Sequence, residues 1–216
     1  MRDVTAGLDG SPDSVAALLG NLLPDAHVYC LNQVHSDAIV FAEDIAPGDI
    51  PEADGIISCE CSDVLCVRTA DCVPVLLWAD NSPMIACVHA GWKGLKKGIV
   101  HKAAGCMQSL GASGIHVSIG PCIGPCCYEV GGDVADAFGR EHLRYKSDSM
   151  YLDLAGIARC QALDAGVNRA WIQSIDMCTS CHPDKFFSYR RDGAAAGRNI
   201  SLIGGRSWSL PGLQVG

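Results

Sequence analysis

Residues 72–89 read CVPVLLWADNSPMIACVH, and this stretch decides the architecture. Residues 73–79 and 84–89 are dense in branched and aromatic side chains. Asp80-Asn81-Ser82-Pro83 between them has turn chemistry, so the pattern predicts two antiparallel strands joined by a tight connection. Residues that enter and leave a hairpin are cross-strand neighbours. Cys72 and His89, 17 positions apart, therefore fall at the same end of the hairpin, where both can reach one metal ion.

Upstream of the hairpin, short runs rich in branched or aromatic residues at 28–31, 38–42, 55–58 and 64–68 predict further strands. Downstream the period changes. Leu95, Ile99, Ala103, Cys106, Met107 and Leu110 form the apolar stripe of one amphipathic helix that ends at Gly111 and starts among Lys93, Lys96 and Lys97. Residues 115–119 read as a buried strand, followed by Gly120-Pro121 and Gly124-Pro125, a rigid turn that presents Cys126, Cys127 and Tyr128. Helical patterns at 130–141 and 153–165 and strands near 170–175 and 199–203 complete a chain of mixed α and β content. No low-complexity linker divides it, so residues 1–216 read as a single domain.

A formal net charge of -8 leaves no positive field to hold a polyanion, which argues against nucleic acid as a partner, although a local basic pocket can still hold one phosphate. The longest apolar stretches, such as CVPVLLWA, are far shorter than the roughly 20 residues a membrane crossing takes, so no membrane association is expected. The 13 cysteines are expected to be reduced thiols of a cytoplasmic protein, because MRDVTAGLDG carries no basic stretch followed by an apolar core.

Several constellations carry chemistry. His35 ends a strand among polar neighbours, in Asn32-Gln33-Val34-His35-Ser36-Asp37. Arg68-Thr69-Ala70-Asp71-Cys72 sets a guanidinium, a carboxylate and a thiol within five residues, although a buried cysteine beside a structural Arg–Asp pair accounts for the same residues. His89-Ala90-Gly91-Trp92-Lys93-Gly94 marks a strand-to-helix passage where backbone N–H groups and Lys93 can converge on an anion. Two imidazoles and one thiolate suit Zn²⁺, and three protein ligands leave the fourth position open. Cys178-Thr179-Ser180-Cys181-His182 matches haem attachment, and its CxxC half matches a redox or zinc-binding pair. Residues 186–193 combine aromatic rings with Arg190 and Arg191, either as a phosphate or ribose grip or as a packed strand with a charged edge.

Gln33-Val34-His35, Arg68-Thr69-Ala70-Asp71-Cys72, Val88-His89-Ala90-Gly91-Trp92, Ile119-Gly120-Pro121, Gly124-Pro125-Cys126-Cys127-Tyr128-Glu129-Val130 and residues 186–193 together resemble the laccase-domain family. Its members were first called multicopper polyphenol oxidases and later described as purine nucleoside phosphorylases with adenosine deaminase activity. The resemblance runs from about Leu31 to the C-terminus and implies an α+β fold, a three-layer α/β/β sandwich with mixed sheets. It also places His35, Cys72 and His89 on the family's zinc-ligand positions, and the choice of Cys72 among 13 cysteines rests on it. Family members usually carry an extra strand and polar loop ahead of the segment matching residues 9–23. Any substrate contact from that segment is expected to come from elsewhere, such as another chain.

The activity so implied is phosphorolysis of adenosine, inosine, guanosine and methylthioadenosine, with hydrolytic deamination of adenosine. Arg68, Lys93, Arg190 and Arg191 are the candidates to hold phosphate against the ribose C1′. Asp71 is the candidate to orient water or carry its proton, or else it pairs structurally with Arg68. Cys126 is the thiol expected to support the site, with Cys127 as the equal alternative. Competing readings are copper-dependent oxidation of phenols, a peptidoglycan-editing factor acting on cell-wall precursors, a non-catalytic cell-wall partner, and a metal-free hydrolase with Cys72 as nucleophile and His89 as base.

Overall fold

The structure is a computed structural model that describes residues 11–204. The N-terminal stretch read above as lacking a signal sequence lies outside the described residues. No helix among the described residues is long and apolar enough to cross a membrane.

In chain order the elements are α1 (Pro12–Leu22), β1 (His27–Tyr29), β2 (Ile39–Phe41), β3 (Gly55–Ser58), β4 (Asp63–Thr69), β5 (Val73–Trp78), β6 (Ile85–Ala90), α2 (Trp92–Lys96) and α3 (Ile99–Ser109). There follow β7 (His116–Ile119), β8 (Glu129–Val130), α4 (Gly132–Ala135), β9 (Leu143–Lys146), β10 (Ser149–Leu152), α5 (Leu154–Asp164), β11 (Ile172–Ser174), α6 (Tyr189–Asp192) and β12 (Asn199–Gly204). A six-stranded mixed sheet runs β11-β7-β5-β6-β3-β2, and a three-stranded mixed sheet runs β1-β4-β12. A small antiparallel sheet, β8-β10-β9, is separate in hydrogen bonding and packs Leu143 and Leu152 into the core of the six-stranded sheet.

Alternation along the central strands builds the layers, because successive strand side chains point to opposite faces. Val75 and Leu77 on β5, and Ala86 and Val88 on β6, pack with Ile99, Ala103 and Met107 of α3 and with Leu154, Ile157 and Ala158 of α5. Their neighbours Leu76, Trp78, Ile85 and Cys87 point the other way, onto Leu65 and Val67 of β4. The α/β/β sandwich is therefore what forms. The outer sheet is covered in turn by α1, whose Val15 and Leu19 meet Cys30 and Cys66. Ser11 caps α1 by accepting the Ser14 N–H, with Pro12 following at the first turn.

The predicted hairpin is present: Val73 pairs with Ala90 and Pro74 with His89, so Cys72 and His89 do share one end. Two helical expectations fail. The stripe from Leu95 to Leu110 is split into α2 and α3 by Gly98, at φ 78°, a left-handed conformation that glycine reaches without steric cost. Periodicity missed the break because Leu95 and Ile99 stay on one apolar face. Residues 130–141 do not form one helix: Glu129 and Val130 join β10, a single α-turn covers Gly132–Ala135, and a separate 3-10 turn starts at Arg140. Residues 186–193 hold the short helix α6 rather than a strand.

Candidate metal centre

Two loops and one strand supply the candidate ligands at one end of the central strands of the six-stranded sheet. His35 lies on the loop between β1 and β2, Cys72 on the turn between β4 and β5, and His89 near the end of β6. One donor atom from each lies within 4.8 Å of the others, and the two imidazoles meet edge to face with centroids 4.9 Å apart. His35 is exposed, Cys72 partly buried and His89 buried. Soft and borderline donors thus converge where solvent or substrate can approach from the His35 side, and the donor set fits a single tetrahedral ion with one open position.

The backbone is shaped around this trio. His35 and Asp71 adopt left-handed φ values of 58° and 92°, conformations that non-glycine residues hold only when their surroundings compel it. For His35 the compelling group is Asp54. This fully buried carboxylate accepts the N–H groups of Val34, His35 and Ser36 at 3.3, 3.0 and 2.5 Å and the Ser36 hydroxyl at 2.7 Å. Gln33 pins the same loop to β4 by accepting the Arg68 N–H at 2.9 Å and donating to its carbonyl at 2.8 Å. Asp37 fastens the loop to α3 through Lys102 and to the end of α2 through Lys97, whose hydrogen bonds hold its carboxyl down to about 2.

Asp54 also faces His89. Its Oδ1 lies 2.7 Å from Nδ1, and its carbonyl accepts the His89 N–H at 2.7 Å. That contact puts the proton on Nδ1 and leaves Nε2 for the ion, the arrangement by which a carboxylate orients a ligating histidine. Burial pushes the His89 imidazole down, but hydrogen bonds with Asp54 and Cys72 outweigh it and lift the group to about 9. Burial likewise pushes Cys72 up, and hydrogen bonds from His35 and His89 bring it down to about 6. The thiol is therefore held as a thiolate at neutral pH. Asp54 was not found in the sequence; its one signal is an acid opening the buried run Ala53-Asp54-Gly55-Ile56-Ile57.

Gly91 forms the floor. A Cβ there would meet His35 Cδ2 at 3.1 Å, Cys72 Sγ at 3.3 Å and His89 Cε1 at 3.8 Å. Gly94 permits the next contact, since its Cβ would stand 2.7 Å from the Ser36 carbonyl oxygen.

The remaining candidates divide. Asp71, almost fully buried, accepts the Thr179 hydroxyl at Oδ1 and the Arg190 N–H at Oδ2, each at 2.6 Å, so the expected pairing with Arg68 does not form. Arg68 lies on the face of β4 that carries Cys66, and its charge acts on Cys30 and Cys66 rather than on the trio. Its Nη2 donates to the Leu31 carbonyl at 3.4 Å. Arg190 crosses the Tyr128 ring at 5.1 Å and gives Nη1 to the carbonyls of Cys127 and Glu129, leaving Nε and Nη2 without a hydrogen-bond partner among the described residues. Arg191 is occupied by Asp192 and by the carbonyls of Thr179, Ser180 and Phe186. Lys93 is exposed on α2, with Nζ 5.8 Å from the Trp92 ring centroid. Cys126 and Cys127 both direct their sulfurs to Cys181, at 3.6 and 3.4 Å.

A family model described as multi-copper polyphenol oxidoreductase laccase matches residues 12–206. The chain belongs to this family. Within the laccase-like family, the purine nucleoside phosphorylase YlmD of Geobacillus stearothermophilus is 37% identical over 198 residues, covering 82% of this chain and 72% of that one. A purine nucleoside phosphorylase of Deinococcus radiodurans is 37% identical over 180 residues, 81% of this chain and 68% of its own. The crystal structure of YlmD from G. stearothermophilus superposes with a TM-score of 0.82 at 33% identity, over 93% of this chain and 84% of that one. The Bacillus licheniformis hypothetical protein YfiH gives 0.81 at 27% identity, over 94% and 86%. The fold is thus shared with these two solved structures.

Proposed function

We propose that the chain is a zinc-dependent purine nucleoside phosphorylase acting on adenosine, inosine, guanosine and methylthioadenosine, with hydrolytic deamination of adenosine at the same centre. The observation that carries the reading is the His35, Cys72 and His89 trio, open on the His35 side and braced by the buried Asp54 carboxylate. The names of the relatives supply the substrate class.

When bound, Zn²⁺ supplies Lewis acidity at one open coordination position. The chain's own residues do the rest. Arg190 and Lys93 are the cations for phosphate, while Arg68 and Arg191 are committed elsewhere. In phosphorolysis a phosphate oxygen bonds to C1′ as the C1′–N bond breaks. The bonding pair leaves with the purine, and a proton follows it to nitrogen. Holding phosphate and ribose in line contributes by positioning, and the guanidinium by offsetting charge as it develops. Asp71, fixed by Thr179 and the Arg190 backbone, is the carboxylate that orients water or holds its proton in deamination.

Copper-dependent phenol oxidation fits less well. Among the described residues only one cluster contains imidazole, and one such site does not hold the several coppers that four-electron reduction of oxygen takes. The test is product analysis by chromatography on metal-quantified protein given adenosine or inosine. Release of free base from both and of inosine from adenosine, each lost in Cys72→Ala, is the expected result. A folded, zinc-loaded protein that turns over no nucleoside overturns the proposal and moves the cell-wall reading to first place.

A further inference from the structure

Thirteen cysteines are far more than one metal centre uses, and four of them meet. Cys126 and Cys127 lie on the tight turn closed by the N–H groups of Cys127 and Tyr128, both donating to the Gly124 carbonyl at 3.0 Å. Cys178 and Cys181 lie on a second turn more than fifty residues on, closed by the Cys181 N–H on the Cys178 carbonyl at 3.2 Å. The loops are fastened side by side. Cys122 pairs with Cys178 in an isolated parallel bridge, and the Thr179 N–H donates to the Cys122 carbonyl at 3.0 Å. All four sulfurs fall within 4.8 Å of one another.

We propose that Cys126, Cys127, Cys178 and Cys181 form a second metal site, a tetrathiolate cage for Zn²⁺ distinct from the His35, Cys72 and His89 centre. The spacing is that of ligands: Cys181 Sγ stands 3.6 Å from Cys126 Sγ and 3.4 Å from Cys127 Sγ. A regular tetrahedron with Zn–S bonds of about 2.3 Å has edges of about 3.8 Å. A disulfide would need about 2.05 Å. The Gly124 N–H donates to Cys178 Sγ at 3.3 Å, a bond that favours the thiolate a metal needs. Four thiolates around a divalent ion leave a net negative cage, and cations stand beside it. Lys146 Nζ donates to the Cys126 carbonyl and Arg190 Nη1 to that of Cys127, each at 3.3 Å, while Arg191 Nη1 holds the carbonyls of Thr179 and Ser180. A site with four protein ligands is closed, so its role is structural. It ties together the two loops whose carbonyls position Arg190 and Arg191; that consequence rests on the proposed phosphorylase reading, whereas occupancy of the cage does not.

The test reads metal and thiols, not turnover. In protein purified without chelator, Cys126→Ser/Cys181→Ser should contain one equivalent of zinc fewer than the parent by mass spectrometry of the metal. In the Cys72→Ala background, cobalt should still give intense thiolate charge-transfer absorption, which the same two serines abolish. Should the serine variant fail to fold, the wild-type protein answers alone. Cys126 and Cys181 are exposed, as is Cys160, so all three should alkylate at once unless a metal shields the first two. Protection of Cys126 and Cys181 until a chelator is added, with Cys160 reacting immediately, is the expected pattern. Unchanged zinc content in the double variant, immediate alkylation of Cys126 and Cys181, or a disulfide among the four in freshly purified protein would overturn the proposal.

Discussion

Asp54→Asn is the substitution that most sharply separates a built metal centre from a chance meeting of two histidines and a cysteine. The carboxylate is fully buried and both oxygens accept: Oδ1 takes the His35 N–H and the His89 Nδ1 proton, and Oδ2 takes the N–H groups of Val34 and Ser36. An asparagine has one acceptor oxygen. Whichever way it turns, its NH₂ faces two donors that lose their partner; on the Oδ2 side the Ser36 hydroxyl, a third donor, can rotate and accept instead. Each orphaned donor costs about 1–3 kcal/mol, so the metal-free variant should lose about 2–4 kcal/mol of stability, with partial relaxation taking the sum below its ceiling. The histidine also loses the group that holds its proton on Nδ1, and removing such a partner weakens metal binding by about 10- to 100-fold. Urea unfolding of chelated protein, followed by circular dichroism, measures the first effect, and zinc competition against a chromophoric chelator the second. Unchanged stability together with unchanged zinc affinity would refute the assignment of Asp54 as the brace of the site.

Three further outcomes are expected. Gly91→Ala, whose methyl would stand 3.1 Å from His35 and 3.3 Å from Cys72 Sγ, should keep the fold but push the ligands apart; zinc affinity, read by the same competition, should fall by about tenfold. In metal-free protein Cys72 should react with iodoacetamide as a thiolate whose fraction rises through about pH 6 and is then constant, because its pKa is lowered. A thiol of ordinary value would still be gaining reactivity up to pH 9, and zinc should suppress the reaction. Thr179→Val removes the buried hydroxyl that donates to Asp71 and should cost about 1–3 kcal/mol by chemical denaturation, with Thr179→Ser recovering most of it.

What could be read in the sequence is what local pattern encodes. The hairpin of β5 and β6 announces itself by two apolar runs around a turn, and pairing rules alone bring Cys72 beside His89. Asp54 could not be read this way, because it reaches His89 from the bend that leads into β3 and nothing in the residues around it names that partner. The break at Gly98 was hidden by an unbroken apolar stripe, the converse case, in which a backbone conformation rather than a side chain carries the information. Arg68 and Cys72 are close in sequence yet face different sides of the structure, since alternation on β4 sends Arg68 toward Cys66. The four-cysteine cluster depends on two turns fastened by the bridge between Cys122 and Cys178, a register no composition or spacing reveals.

The central claim is that phosphate, not water, takes the ribose. Zinc-loaded protein with inosine and increasing phosphate, assayed for hypoxanthine, ribose 1-phosphate and free ribose, tests it most directly. Hypoxanthine and ribose 1-phosphate in equal amounts, at a rate that rises with phosphate and saturates, is the predicted result. Free ribose formed at a rate indifferent to phosphate would contradict it.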